Sequence, residues 1–79
     1  TGLEVDIICY GDNGFYAIEV KRSHNINKKQ LRGLKSFQKD YPEVTPYLVY
    51  GGKDKLEIDG ISIIPIITFL KNIKQYLGE

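Results

Sequence analysis

Methionine and tryptophan are both absent from this 79-residue chain, and cysteine and histidine occur once each. A single cysteine excludes an internal disulfide and suggests a reducing compartment. Cys9 falls on the apolar side of an alternating stretch and reads as a small buried hydrophobe rather than a catalytic thiol. Long apolar runs are missing too. The longest, Ile61 to Ile67, is interrupted by Ser62 and Pro65 and is too short to span a bilayer. Repeats, low-complexity tracts and a secretory signal are also missing, so no internal boundary divides the chain. What remains is one small domain, residues 1–79, which buries only about 60% of its unfolded surface and is modestly stable.

What is present begins with a hairpin pattern from Leu3 to Lys21. Leu3, Val5, Ile7 and Cys9 alternate with Glu4 and Asp6, while Tyr16, Ile18 and Val20 alternate with Phe15, Ala17, Glu19 and Lys21. Successive strand side chains point to opposite faces, so each arm carries one apolar face. Gly11-Asp12-Asn13-Gly14 supplies turn chemistry between them. A loop of Asp12 and Asn13 sets Asp6 opposite Glu19 and Glu4 opposite Lys21. A loop of Asn13 and Gly14 sets Asp6 opposite Lys21, with Glu19 next along the same face. Both registers gather Glu4, Asp6, Glu19 and Lys21 on one surface, and a three-residue loop is excluded because it would split the apolar sets.

Carboxylates placed opposite each other in a sheet are destabilising. The pattern fits a half-exposed hairpin with a Glu4–Lys21 cross-strand pair. It also fits a divalent-metal site, because Mg²⁺ is held by one or two carboxylates with waters and phosphate oxygens. A lysine beside such a site orients the attacking water and stabilises charge on phosphate.

Asp6, followed after twelve residues by Glu19-Val20-Lys21, resembles the core motif of the PD-(D/E)XK nuclease superfamily. The wider text, EVDII…FYAIEVKRS…LRGLKSFQKDYP…YLVYGG…IIPIITFL, is more narrowly similar to the uncharacterised carboxy-terminal domain of prokaryotic AAA+ ATPases. The resemblance implies that Asp6 and Glu19 bind Mg²⁺ or Mn²⁺, aided by the Val20 carbonyl, and that Lys21 serves the water. It also implies DNA as substrate, an upstream ATPase domain in the same chain and a cytoplasmic location. Val5 stands where the superfamily's name has proline, and the family's first helix, a source of a further acid, does not precede the motif here. With no methionine the chain is either trimmed or excised from something longer, and the resemblance, which needs an upstream helix, implies a carboxy-terminal fragment of a longer protein. Two functions follow as expectations: a metal-dependent, endonuclease-type hydrolase, or a non-catalytic DNA- or protein-binding module that keeps the nuclease fold.

The net charge of +1 hides an asymmetry. Lys21, Arg22, Lys28, Lys29, Arg32, Lys35 and Lys39 lie between positions 21 and 39 with no acid among them, against four basic and ten acidic residues elsewhere. Leu31, Leu34, Phe37 and Tyr41 recur at helical spacing, with Asn25 or Asn27 as the cap and Pro42 as the stop. Lys28, Arg32, Lys35 and Lys39 then line the opposite face. Such a stripe is commonly a solvated face; placed directly after the Glu-Val-Lys strand, it also suits phosphates, together with Arg22 and Lys29. His24 reads as a surface residue of the turn, and Gln30 is not counted in the site.

Pro46–Tyr50 reads as a buried strand, giving a parallel crossover with the second arm. Lys53 to Asp59 is a short strand or a loop, and Ile61–Ile64 a further strand. Pro65 opens a final helix carrying Ile66, Phe69, Leu70, Ile73 and Leu77, which covers one sheet face. The fold expected is α/β: a small mixed sheet opened by a hairpin and flanked by helices, a partial restriction-endonuclease-like core.

If the stripe meets phosphates, neutralising Lys28, Arg32, Lys35 and Lys39 weakens DNA binding across all sequences. The log–log salt slope then flattens by about 0.9 per lost duplex contact. Anisotropy titrations at several salt concentrations measure both, and unchanged values would assign the stripe to solvent.

Overall fold

A computed structural model describes residues 5–79. The expectations placed on Leu3 and Glu4 lie outside the described residues. Five strands form one mixed sheet in the order β1-β2-β3-β5-β4: β1 Ile7–Gly11, β2 Gly14–Val20, β3 Thr45–Tyr50, β4 Leu56–Ile58 and β5 Ile61–Pro65. The two outer pairs, β1–β2 and β4–β5, are antiparallel, and the central pairs β2–β3 and β3–β5 are parallel. A 3₁₀ turn at Lys28–Leu31 leads into α1, Arg32–Asp40. Two short helices, α2 Ile66–Lys71 and α3 Ile73–Tyr76, end the chain.

The hairpin adopts the first of the two expected registers. Ile7 pairs with Ile18 and Gly11 with Gly14, leaving Asp12 and Asn13 as the loop. The turn's positive φ falls on Gly14, at 137°. Both faces of β2 are covered, so the half-exposed reading of the hairpin holds only for β1, most of which is exposed. Ala17, with Phe15 packed beside it, joins Leu31, Leu34, Leu48, Ile61 and Ile63 under α1. Ile18 joins Val49, Ile64 and Phe69 on the opposite face, with Cys9 half-buried against them. The parallel strands at the centre have helices on both sides, the arrangement such sheets require.

Val5 is a second correction. It packs with the α1-side core rather than beside Cys9. The backbone bends at Asp6, before β1 begins, and strict alternation does not extend through a bend.

Asn27, rather than Asn25, caps the basic segment. Its side chain accepts from the N–H groups of Lys29 and Gln30, and the Gln30 side chain accepts from Asn27 N–H at 2.9 Å, a reciprocal capping box. Leu31 and Leu34 are fully buried, Phe37 is half-buried, and Tyr41 lies exposed beyond the helix end. The final helix is broken at Asn72, whose side chain turns back to donate to the Thr68 carbonyl. Phe69, Tyr76 and Leu77 still cover the sheet, and the Tyr47 hydroxyl donates to the Tyr76 carbonyl at 2.8 Å. Leu70 and Ile73, expected to cover the sheet, stay largely exposed. No helix among the described residues is long and apolar enough to cross a membrane.

Chain segments meet closely where β2 ends. Lys21 N–H donates to the Val49 carbonyl at 2.8 Å, and Gly51 N–H donates to the Ser23 carbonyl at 2.9 Å. A Cβ on Gly51 would stand 2.5 Å from the Arg22 carbonyl oxygen. Because the obstacle is backbone, Gly51→Ala forces a shift of the segment after the motif. Overpacking of this kind costs about 1–3 kcal/mol, and each kcal/mol lowers Tm by about 4–8 °C in a domain this small. Thermal melts check this; an unchanged Tm would show that the segment yields freely.

Candidate functional site

Asp6, Glu19, Val20 and Lys21 converge at the carboxyl end of β2. In open α/β sheets that end of the strands is where ligands sit. Two backbone facts arrange them. The N–H of Lys21 points to β3, so that of Val20, one residue earlier, points to β1. Asp6 stands just before β1, and its Oδ2 accepts from Val20 N–H at 2.7 Å, where a paired strand would have supplied a carbonyl. The N–H and C=O of one strand residue face the same neighbour. The Val20 carbonyl therefore faces the Asp6 side as well.

Glu19 leaves β2 on the same face as Ala17, the α1 side. It is only 6% exposed and is the one charged residue among the buried ones described. Its Oε2 lies 2.9 Å from Lys21 Nζ, two residues on and on the same face. Its Oε1 is buried and has no hydrogen-bond partner among the described residues. A buried carboxylate oxygen without a partner costs free energy.

Asp6 stands at the bend one residue before the paired part of β1 and is held to β2 through Val20 N–H. The expected repulsion is offset at both carboxylates, since Asp6 is tied to a backbone N–H and Glu19 to an ammonium. No group of three or more histidine, cysteine, aspartate or glutamate side chains suited to a metal gathers among the described residues.

The basic residues are distributed more widely. Arg22 is exposed in the loop after β2, beside Ser23 and the exposed His24. Lys28 and Lys29 lie in the 3₁₀ turn, and Arg32, Lys35 and Lys39 on α1. Gln30, besides completing the cap, donates to the Ser23 hydroxyl at 3.3 Å and so braces this loop. Lys28 and Lys35 both pair with Asp59, Lys28 Nζ lying 3.8 Å from Oδ1 and Lys35 Nζ bonded to Oδ2. The hydrogen bond from Lys35 holds the Asp59 carboxyl below the usual carboxylate range, with the charges of Lys28 and Lys35 acting the same way. Asp59 was not singled out from the sequence. Its signal was the Asp59-Gly60 turn dipeptide between two apolar strands.

Compared with known proteins, the chain matches one family profile over residues 1–69, described as Domain of unknown function (DUF4143). No curated protein and no solved structure matches it.

The Asp6–Val20 bond yields a direct expectation. Asp6→Ala removes the acceptor, exposes Val20 N–H to faster hydrogen exchange, and costs about 1 kcal/mol, near the mean for one hydrogen bond. Asp6→Asn keeps an acceptor oxygen and most of the protection. Equal Val20 exchange rates in the native protein and Asp6→Ala would rule out this role.

Proposed function

The chain therefore belongs to the DUF4143 family, and from that premise we propose that it is a metal-dependent nuclease-like domain that hydrolyses DNA phosphodiester bonds as part of an AAA+ ATPase. Domains of this family are often found in AAA-ATPase proteins, which supports the attachment. One observation carries the chemical reading: the Glu19 carboxylate is buried at a strand end with one oxygen unpartnered and the other on Lys21. A hard divalent cation satisfies such an oxygen and accepts a mixed set of carboxylate, carbonyl and water ligands.

The donors fit that chemistry. Glu19 Oε1, the Asp6 carboxylate and the Val20 carbonyl would hold Mg²⁺ or Mn²⁺. Such an ion supplies Lewis-acid stabilisation of the phosphoryl oxygens and a more acidic bound water. Lys21 holds its ammonium against Glu19, from where it orients the attacking water and offsets charge developing on phosphate. Arg22, Lys29, Arg32 and Lys39 bind the phosphodiester backbone, giving affinity without sequence preference.

A second reading, a binding module without catalysis, draws on a different observation. Asp6 already spends an oxygen on Val20 N–H, and no third acidic or histidine ligand joins the site among the described residues.

Cleavage separates the two. The full-length protein with Mg²⁺ or Mn²⁺ is expected to nick supercoiled DNA, and Asp6→Asn, Glu19→Gln and Lys21→Ala each to lower the rate about 100-fold or more. Metal is also expected to raise the Tm of the native domain by mass action and that of Glu19→Gln much less. DNA binding with neither cleavage nor a metal-dependent Tm shift would establish the binding module. Cleavage surviving all three substitutions would remove the site from the reaction.

A further inference from the structure

We propose that Lys28 and Lys35 form a phosphate-binding position that the Asp59 carboxylate occupies until DNA displaces it. The inference rests on the DNA-binding reading of the basic segment and adds to it an acid that competes from within the fold.

Asp59 and Gly60 are the two loop residues of the β4–β5 hairpin, since Ile58 pairs with Ile61. Their φ values are 54° and 80°, the left-handed conformation that this tight hairpin turn demands and that Asp-Gly adopts readily. The carboxylate is thus presented by a turn whose backbone is fixed by strand pairing, not by a loose loop. From there it reaches across to the basic segment, with one oxygen toward each lysine. A carboxylate held between two ammonium groups offers them the same anionic oxygens that a phosphodiester offers. The lysines are not sealed in this arrangement. The Lys28 side chain is 74% exposed and that of Lys35 40%. A solvent-accessible ion pair is weak enough to exchange.

The basic surface is therefore divided. Lys29 and Arg32 are exposed and make no ion pair among the described residues, and the same holds for Lys39. They meet DNA first. Lys28 and Lys35 join only when a backbone phosphate takes the place of Asp59, so the native protein gains less affinity than its count of positive charges suggests. An aspartate is ionised at neutral pH, and the Lys35 hydrogen bond favours the charged form further, so Asp59 competes as an anion.

The test compares native protein, Asp59→Asn, the triple variant Asp59→Asn/Lys28→Ala/Lys35→Ala, Arg32→Ala and Lys39→Ala in anisotropy titrations of a labelled duplex from low to high salt. Asparagine also accepts positive φ, so Asp59→Asn keeps the turn, and a thermal melt verifies the fold. Asp59→Asn is expected to bind on the order of tenfold tighter at low salt and to steepen the log–log slope by up to about 1.8, two duplex contacts' worth. Adding the lysine substitutions to Asp59→Asn is expected to abolish both gains. Folded Asp59→Asn that binds no tighter than native protein, while Arg32→Ala and Lys39→Ala still weaken binding, would overturn the masked position and leave the DNA reading standing. If neither native protein nor Asp59→Asn binds the duplex, both fail. If Asp59→Asn alone binds, the masked position is supported and shown to be the dominant barrier.

Discussion

A carboxylate buried at the end of an interior strand is the constraint around which this domain is arranged. Strands covered on both faces are ordinarily uninterrupted apolar runs, and β2 keeps to that rule through Ile18. Glu19 departs from it at a cost that must be met locally. Lys21 meets half of it, because two residues along a strand return to the same face. The remaining oxygen stays unmet among the described residues. The surroundings hold this strand end in place: Asp6 takes the N–H of Val20, Val49 takes that of Lys21, and Gly51 lets the chain beyond lie close enough to bond Ser23. A strand end held this firmly by backbone contacts is suited to fixing charge, which is what the proposed metal site requires.

Much of this was legible in the sequence because it is local. Gly11 to Gly14 and the alternation around them narrowed the hairpin to two registers, and the pairing of Gly11 with Gly14 decides between them. Leu31 and Leu34 marked the buried side of α1, and the parallel pairing of β2 with β3 followed from a helix lying between two strands. The grouping of Glu19 with Lys21 followed from the same period of two, while Asp6 joins them through its bond to Val20 N–H. What escaped depended on departures from periodicity or on distant partners. Val5 changes sides because the chain bends at Asp6, and no alternation rule predicts a bend. The last helix breaks at Asn72, where a side-chain amide competes for a helical carbonyl. Lys28 and Lys35 looked unopposed because their acid, Asp59, stands far along the chain and is brought to them only by the sheet. Sequence distance hides such pairs, and charge counts over a segment cannot recover them.

The two ends of the sheet differ in how they meet solvent. At one end β4 is three residues long and carries Glu57, both common ways of discouraging further pairing. At the other, β1 reads Ile-Ile-Cys-Tyr-Gly, with neither charge nor proline, and Ile7 and Ile8 are 47% and 45% exposed on opposite faces. Among the described residues no strand pairs with the outer side of β1, and backbone groups left open between apolar side chains are a template for any extended chain nearby. During refolding from denaturant, such an edge is open to collisions with other copies before the rest of the sheet has matured. Recovery of the native domain then becomes a second-order contest, governed by dilution more than by temperature, and a single lysine at position 8 would be the simplest way to tilt it.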